Sequence, residues 1–326
     1  MDGRLIHGNG FLNVSFPVRF RVNPKFLSHP GNLAILAAVA AAMSTALGGS
    51  AFVAIRFLVT ETEPVTIAFL RNFTAAVVLG VIALVVVRRW PTLREFLMMG
   101  LMGALFFGGL QFIFSNAFAF TTSSRGALAY TITPFLTLTI AAVFGIEKPT
   151  RQKIAGIIVA TSGVVVALAQ NAGAPPDAWI GDAMVVGGAL ITAIYGVWSA
   201  RALKHQSPLV SVVSGVVPGS LFLWIVAEAT GAPAFTPDLS TTGWLAIVYL
   251  GIGAAVLSYT LWLWALRHTT PTLVAVALPM NPLMALIWGS VLLDEQVTAT
   301  MIVGFVLVIA GIAITNWQRR PKALPA

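Results

Sequence analysis

The sequence contains no cysteine and very little charge. Of its 326 residues, only 9% are Asp, Glu, Lys or Arg, whereas 58% are hydrophobic. A soluble domain carries about 25% charged residues, so a soluble fold could not cover its surface with this composition. The absence of cysteine excludes a disulfide framework, a thiolate metal site and a cysteine nucleophile. With a mean hydropathy of +0.89, the chain is predicted to be embedded in a membrane.

Acidic residues and histidines are also missing from the middle of the apolar segments. Proton relays in membrane proteins normally use such groups, so no carboxylate site for a coupling ion is visible. The sequence has no Walker A motif, no H-E-x-x-H motif and no acid/base pair at membrane depth. We therefore expect neither an enzyme nor a bound metal or cofactor.

Ten apolar segments are long enough to cross a bilayer, which takes about 20 helical residues. Pro64, Pro208 and Pro271 begin three of them, a position that tolerates the missing N–H of proline. The fold class predicted is an all-α polytopic membrane protein with ten transmembrane helices. The segments cover approximately residues 33–57, 64–87, 95–119, 124–146, 152–170, 179–201, 208–229, 242–266, 271–293 and 297–317.

The basic residues predict the orientation. With the N-terminus in the cytoplasm, sixteen of the nineteen Lys and Arg residues fall on the cytoplasmic side, where positive loops are retained. The exceptions are Arg56, Arg71 and Arg125. We predict a multi-pass protein of the bacterial inner membrane with both termini in the cytoplasm. Residues 1–32 form a polar arm without a signal peptide, and residues 318–326 form a cytoplasmic tail.

The two halves of the chain align with each other at an offset of 148 residues. The aligned pairs include Pro134 and Pro282, Glu147 and Glu295, Thr150 and Thr298, Gly156 and Gly304, and Gly163 and Gly311. Five helices per half is an odd number, so the second half must lie inverted in the membrane. The predicted domains are a first repeat over 33–170 and a second over 179–317.

The segments that carry this repeat, Ala127–Ala167 and Ala275–Thr315, resemble the EamA-type branch of the drug/metabolite transporter superfamily. The segment Gly48–Arg56 and the pair Leu70–Arg71 also fit. The resemblance covers about residues 33–317. It implies a central cavity lined mainly by helices 1–4 and 6–9, with helices 5 and 10 at the periphery. It also implies movement of metabolites, commonly export, and amino-acid exporters belong to this branch.

Arg71 is the sharpest candidate for a substrate-binding residue. It lies about seven residues into helix 2, roughly 10 Å from the start of the helix. A charge at that depth costs about 2.5 kcal/mol or more unless it faces water or a partner. The second repeat has only small or apolar residues near the equivalent place, around 215–217. Arg71 therefore either meets a substrate carboxylate or phosphate, or pairs with Glu61, Glu63 or helix-end carbonyls.

Further candidates are the residues beside the two repeated prolines, Thr133 before Pro134 and Asn281 before Pro282. Proline frees the carbonyl four residues earlier, which could contact the solute or let the helix bend during gating; a static, locally satisfied kink is the alternative. Other candidates are polar or aromatic residues inside the segments, although the aromatics could instead face lipid. They are Asn72, Gln111, Asn116, Tyr130, Tyr195, Trp198, Tyr259 and Trp288.

Glu147 and Glu295, with Thr150 and Thr298, precede helices 5 and 10 and are predicted to cap helix N-termini.

The functional prediction is a secondary transporter that exports small organic metabolites by alternating access between the repeats. One cation without acidic residues suits a zwitterionic or partly apolar solute better than a polyvalent anion, and amino acids are the favoured class. The expected partners are a small-molecule substrate and membrane lipids, without nucleic acid, and the protein is expected to be a monomer or homodimer. Alternatives are a permease for drugs, sugars or nucleobases and a non-transporting membrane scaffold or sensor.

Overall fold

The protein is a multi-pass helical membrane protein. The computed structural model describes residues 30–87, 90–145, 150–169, 174–202, 208–268, 277 and 280–316, and the regular secondary structure in these ranges is entirely helical. Eight helical stretches are long and apolar enough to cross a membrane. Two shorter apolar helices, Met280–Leu293 and Ala299–Ile314, follow them. The N-terminal arm as far as residue 29 lies outside the described residues.

The helices of the first half include two joined pairs. A π-helical segment, Ala104–Gly109, joins helix α3 (Leu93–Gly103) to helix α4 (Leu110–Phe120) within one candidate span. A turn at residues 131–132 separates helix α5 (Ser123–Tyr130) from helix α6 (Thr133–Val143) within another. The bounds are α1 Pro30–Leu58, α2 Pro64–Val86, α3 Leu93–Gly103, α4 Leu110–Phe120, α5 Ser123–Tyr130, α6 Thr133–Val143 and α7 Arg151–Ala169.

The second half has the same kind of interruption. A longer π-helical segment, Tyr249–Leu257, joins helix α10 (Thr241–Val248) to helix α11 (Ser258–His268). An offset of 148 from the first π-helical segment gives residues 252–257, which fall inside the second. The bounds are α8 Ala178–Ala202, α9 Pro208–Thr230, α10 Thr241–Val248, α11 Ser258–His268, α12 Met280–Leu293 and α13 Ala299–Asn316.

Several helix starts follow directly from the local sequence. Pro64 begins α2 and Pro208 begins α9, as predicted, whereas Pro271 lies outside the described residues. The Thr150 hydroxyl accepts a hydrogen bond from the Lys153 amide, 3.3 Å away, at the start of α7. This threonine cap satisfies an amide that the first helical turn leaves unpaired.

The equivalent cap occurs at the start of α13. There the Thr298 hydroxyl accepts from the Met301 amide, also at 3.3 Å. The capping role predicted for Thr150 and Thr298 is therefore confirmed at both repeat-equivalent positions.

Glu295 also caps a helix, but not the one that follows it. Its carboxylate accepts hydrogen bonds from the Ser123 amide at 2.7 Å, the Ser124 amide at 3.0 Å and the Ser124 hydroxyl at 2.6 Å. The helix capped is therefore α5, in the other half of the chain. Asp294 has a left-handed backbone, φ 51°, which turns the chain back after α12. Glu147, the aligned residue, lies outside the described residues.

The helices α7 and α13 pack closely on each other through glycines. A Cβ atom added to Gly163 would lie 2.7 Å from the Gly304 carbonyl oxygen, and one added to Gly311 would lie 2.6 Å from the Gly156 carbonyl oxygen. Only glycine permits this approach of the two backbones. The contacts run in opposite directions along the two helices, which are therefore antiparallel. Gly163 contacts Gly304, and the residues aligned with these two, Gly311 and Gly156, contact each other. This exchange of contacts is the pattern of an interface with two-fold symmetry.

Two further glycine contacts relate the segment of α2 around Arg71 to a segment of α9. On α3, Gly103 packs against the backbone of Gly215 on α9. Its repeat-equivalent residue Gly251 faces α2, where an added Cβ would lie 2.5 Å from the Thr74 Cβ atom and 3.3 Å from the Arg71 carbonyl oxygen. Because Gly103 and Gly251 are separated by 148 residues, the helix segments that they contact are also equivalent. The part of α9 at Gly215 therefore corresponds to the part of α2 that carries Arg71 and Thr74, and it has no charged residue.

Candidate transport site

Three arginines lie away from the predicted cytoplasmic loops, and Arg56 is the first of them. It belongs to the last turn of α1, and its Nη1 atom donates hydrogen bonds to the carbonyls of Phe118 at 2.7 Å and Ala119 at 3.3 Å. These carbonyls belong to the last turn of α4, where the helix leaves them without partners. A cation there also complements the helix dipole. Arg56 therefore holds two helix ends together.

Arg125 forms a buried ion pair. Its Nη2 atom lies 2.6 Å from Asp182 Oδ2, and the two side chains are only 3% and 9% exposed. The same nitrogen donates to the Leu168 carbonyl at 3.1 Å, and the Thr121 hydroxyl donates to Asp182 Oδ1 at 2.7 Å. The pair thus joins α5 to α8 and is further satisfied by hydrogen bonds, which is the condition under which a buried charge is tolerated.

Arg71, on α2, has no such partner. Its Nε atom is buried without a hydrogen bond, and the guanidinium forms no ion pair within the described ranges. The predicted alternative, pairing with Glu61, is not observed. The Glu61 carboxylate instead accepts from the Ser240 hydroxyl at 2.6 Å and the Ser240 amide at 3.2 Å, and Glu63 is exposed. Arg71 is therefore half-buried with donor capacity to spare.

All four tyrosines of the chain converge on this region. Tyr130, Tyr249 and Tyr259 lie within electrostatic range of the Arg71 guanidinium. Tyr195 lies within the same range of Tyr259. The interior around Arg71 is thus lined by aromatic rings that carry hydroxyl groups, which combine apolar contact with hydrogen bonding.

The tyrosine hydroxyls and rings are held by neighbours from other helices. The Tyr130 hydroxyl lies 3.1 Å from Thr192 Oγ1. The Tyr195 ring stacks on Phe106, with centroids 4.2 Å apart and planes 9° apart. Trp198 follows in the same row, with its ring centroid 6.2 Å from that of Tyr195. The first two contacts tie Tyr130 and Tyr195 to neighbouring helical segments, whereas Trp198 packs beside Tyr195 on the same helix, α8.

A second row of rings involves Tyr259, on α11. Its ring centroid lies 6.1 Å from that of Phe107, in the π-helical segment Ala104–Gly109. This contact brings the two interrupted helices together in the interior. The predicted candidate Tyr259 therefore faces Arg71 from the half of the chain opposite to α2.

The four predicted amide side chains divide into two pairs. Two of them bond to helix carbonyls. Asn72 is buried and donates to the carbonyl of Phe107, and Asn116 donates to the carbonyl of Phe112, one turn earlier, at 2.8 Å. Because their amide groups are used by the backbone, Asn72 and Asn116 support helices, with Asn72 satisfying a carbonyl of the π-helical segment.

The other pair has unused acceptors. Gln111 Oε1 and Asn281 Oδ1 are both buried without a hydrogen-bond partner among the described residues. Gly49 of α1 allows the backbone of Asn281 to approach closely. An unpaired buried acceptor costs about 1–3 kcal/mol, so such atoms are candidates for contacts to a ligand.

The first proline break is satisfied locally. Pro134 cannot donate to the carbonyl of Tyr130, and the Thr133 hydroxyl donates to that carbonyl instead, at 2.6 Å. This geometry favours the static alternative for Thr133. Pro134 is exposed, whereas Pro282 is buried in the first turn of α12.

A cavity of about 730 Å³ lies between α1, α10 with the π-helical segment that follows it, and α12. Among the predicted residues, it is lined by Trp288. It is also lined by Ser50 and Tyr249, whose hydroxyl groups are 2.5 Å apart. Tyr249 was absent from the predicted site. The sequence feature that could have identified Tyr249 is its position inside an apolar segment rather than at the end of one. The other three tyrosines have the same kind of position.

Comparisons with known proteins agree with this architecture. The family model of the EamA-like transporter family matches residues 32–169 and again 179–317. An "Uncharacterized transporter" of Archaeoglobus fulgidus is 28% identical over 281 residues, which is 85% of this chain and 98% of that protein. A crystal structure of a protein 19% identical in sequence aligns with a TM-score of 0.59 over 86% of this chain and 95% of its own, which shows the fold alone.

Two relatives carry names that include a substrate. A "Probable terminal-alkyne amino-acid exporter" of Streptantibioticus cattleyicolor is 26% identical over 282 residues, covering 85% of this chain and 93% of that protein. A "Probable amino-acid metabolite efflux pump" of Salmonella typhimurium is 27% identical over 240 residues, covering 71% and 80%.

Proposed function

Since the chain belongs to the EamA-like transporter family, we propose that it is an amino-acid exporter in which Arg71 binds the substrate carboxylate. The observation that carries the proposal is the contrast among the three arginines. Arg56 and Arg125 each have protein partners, whereas Arg71 has none in the described ranges. An embedded cation without a partner is costly, and a carboxylate supplies the missing charge.

The surroundings of Arg71 favour a zwitterion. The tyrosine rings around it offer their faces to an ammonium group. Elsewhere in the interior, the buried acceptors Gln111 Oε1 and Asn281 Oδ1 lack donors, and an ammonium group is a donor that either of them could accept from. A single cation suits one carboxylate rather than a polyvalent anion. The two relatives named for amino-acid substrates support the same class.

We further propose ten transmembrane helices in two inverted repeats. The crosswise glycine contacts of α7 and α13, the equivalent π-helical segments and the doubled family match support this architecture. A site between inverted repeats is typical of alternating access, in which the halves rock around the bound solute. The basic residues support an inner-membrane location with both termini in the cytoplasm.

The proposal is tested by counterflow in proteoliposomes. Proteoliposomes that contain the purified protein are loaded with an unlabelled solute, and uptake of the same labelled solute is measured. The solutes are aromatic, aliphatic and polar amino acids, a nucleobase and a sugar. Arg71→Ala is expected to lower amino-acid uptake by roughly tenfold or more, the effect of truncating one partner of a charged contact. Arg94→Ala, at an exposed arginine in α3, is the matched control and should transport as the wild type does.

The outcomes separate the alternatives. Saturable amino-acid uptake that survives in Arg71→Ala would assign Arg71 a structural role. Uptake of only the nucleobase or the sugar would support the permease alternative. A protein that moves none of these solutes would contradict the amino-acid assignment and leave the scaffold or sensor alternative.

A further inference from the structure

The cavity between α1, α10 and α12 is apolar along most of its length. Its lining is dominated by aliphatic and aromatic side chains, with Ser50, Thr242 and Tyr249 as the polar exceptions. Its volume of about 730 Å³ falls within the range of about 300–1,000 Å³ that is usual for small-molecule sites. We call it the lateral cleft.

The mouth of the lateral cleft faces the bilayer. Leu245, Trp288 and Leu292 line it, are 65%, 40% and 63% exposed, and belong to apolar helices. On α1, the lining residue Met43 continues an exposed apolar row that begins at Ile35 and Val39. Large apolar side chains exposed on helices of this length and composition are typical of a surface that faces lipid. The cleft therefore opens sideways between α10 and α12.

The inner end of the lateral cleft is polar. There the hydroxyl groups of Ser50 and Tyr249 lie 2.5 Å apart. Tyr249 also lies within electrostatic range of Arg71. Tyr249 therefore borders both the lateral cleft and the surroundings of Arg71, although Arg71 itself is not among the residues that line the cleft. A molecule that occupies both places has an apolar body and a single anionic group.

We propose that the lateral cleft holds the apolar part of the transported solute and admits it from the bilayer. This inference rests on the proposed function. It narrows the substrate class to carboxylates with a bulky apolar side chain, in preference to small polar ones. A lipid acyl chain would fill the apolar mouth, but it would gain nothing from the hydroxyl pair or from the cation behind it.

The test fills the cleft without touching Arg71. Ala246 is a small lining residue of α10, and Ala246→Phe places a ring in the cleft. Ile252→Phe is the matched control, because Ile252 is exposed in the adjoining π-helical segment and is not among the lining residues. Counterflow of tryptophan and of glycine is compared in the same proteoliposomes.

The preference of the wild type for tryptophan over glycine is expected to fall roughly tenfold or more in Ala246→Phe, since the apolar contact is lost. Ile252→Phe should keep the wild-type preference, and Arg71→Ala should lower uptake of both amino acids. An unchanged preference in a folded Ala246→Phe would overturn the cleft proposal while leaving the proposed function intact. If Ala246→Phe does not fold, Ala54→Leu fills the cleft from α1.

A binding measurement with indole tests the cleft proposal independently of transport. Indole has the apolar body of tryptophan but no carboxylate. It should raise the melting temperature of wild-type protein and of Ile252→Phe, but not of Ala246→Phe. If no amino acid is transported, the proposed function fails, and this indole shift alone decides whether the cleft binds apolar molecules. Absence of the shift in the wild type would overturn the cleft proposal.

Discussion

In the first half of the molecule, Arg71 lies where α2 passes Gly251; in the second half, Gly215 lies where α9 passes Gly103. The helix crossings are equivalent, but only one of them carries a charge. The contrast with α7 and α13 is clear, because there the aligned glycines Gly163 and Gly311 make the same contact in both halves.

The difference separates two kinds of residue. Side chains that hold the backbone in place recur in both halves, as the glycines of α7 and α13 and the cap residues Thr150 and Thr298 do. A side chain present in one half only is free to serve the solute, which is itself asymmetric. Asymmetry alone is insufficient, however, because Arg125 and Asp182 also occur in one half only, and they form an ion pair with each other.

The largest predicted effect tests that distinction between the arginines. Arg125→Leu leaves the buried Asp182 without its cation and should destabilise the protein by about 3–5 kcal/mol. Arg71→Leu removes a cation that has no described partner and should cost far less. Melting of the purified proteins, followed by tryptophan fluorescence, compares the two variants.

The double variant Arg125→Leu/Asp182→Leu is the control for this comparison. Removing both charges leaves no unpaired ion, so much of the lost stability should return. If Arg71→Leu destabilised the protein as strongly as Arg125→Leu, Arg71 would have to be counted among the residues that hold the fold.

The second prediction concerns the symmetric interface. Gly163→Ala and Gly311→Ala should each destabilise the protein by about 1–3 kcal/mol, because an added methyl group overlaps the facing backbone. Since the two glycines are equivalent, the melting temperatures of the two variants should fall by similar amounts. Unequal losses would show that the interface is not symmetric in energy.

Gly80→Ala provides the baseline for both variants. A Cβ atom added to this α2 glycine meets nothing within 4 Å. The change should therefore be neutral or stabilising by up to about 1 kcal/mol, the helix propensity gained on replacing glycine by alanine. A large loss in Gly80→Ala would mean that the measurement does not report close packing.

The helices could be predicted from the sequence because lipid imposes a simple rule on composition and length. Apolar segments with prolines at their starts placed α2 and α9 almost to the residue. The interruptions could not be predicted so well. The π-helical segment Ala104–Gly109 lies inside an apolar run whose composition does not differ from that of an α-helix, and it depends on tertiary contacts such as that of Asn72 with Phe107.

Two of the candidate residues follow from the rule that charged and amide groups avoid lipid. Arg71 and Gln111 are predicted to face the interior on that ground, and the structure buries the Arg71 Nε and Gln111 Oε1 atoms. The partners of individual side chains were not predictable. Asp182 follows Arg125 by 57 residues, and Tyr249 reaches Arg71 from the other half of the chain, so their proximity arises from helix packing alone.

The smallest predicted effect concerns the carboxylate that joins the two halves at α5. Glu295→Gln keeps the shape of the side chain but removes the charge that accepts from the Ser123 and Ser124 amides. Losing a charged cap at a helix N-terminus should cost about 0.5–2 kcal/mol. The melting temperature should therefore fall slightly, with the transport preference unchanged.

The aligned residue Glu147 makes this last change a test of the repeat. If the two halves are equivalent, Glu147→Gln should lower the melting temperature by about the same amount as Glu295→Gln. Glu228→Gln is the control, because Glu228 is an exposed acidic residue of α9 that accepts a hydrogen bond from the Trp224 indole, one turn earlier, rather than from a helix N-terminus. An effect of Glu295→Gln without one of Glu147→Gln would place this cap with Arg71 among the features that only one half has.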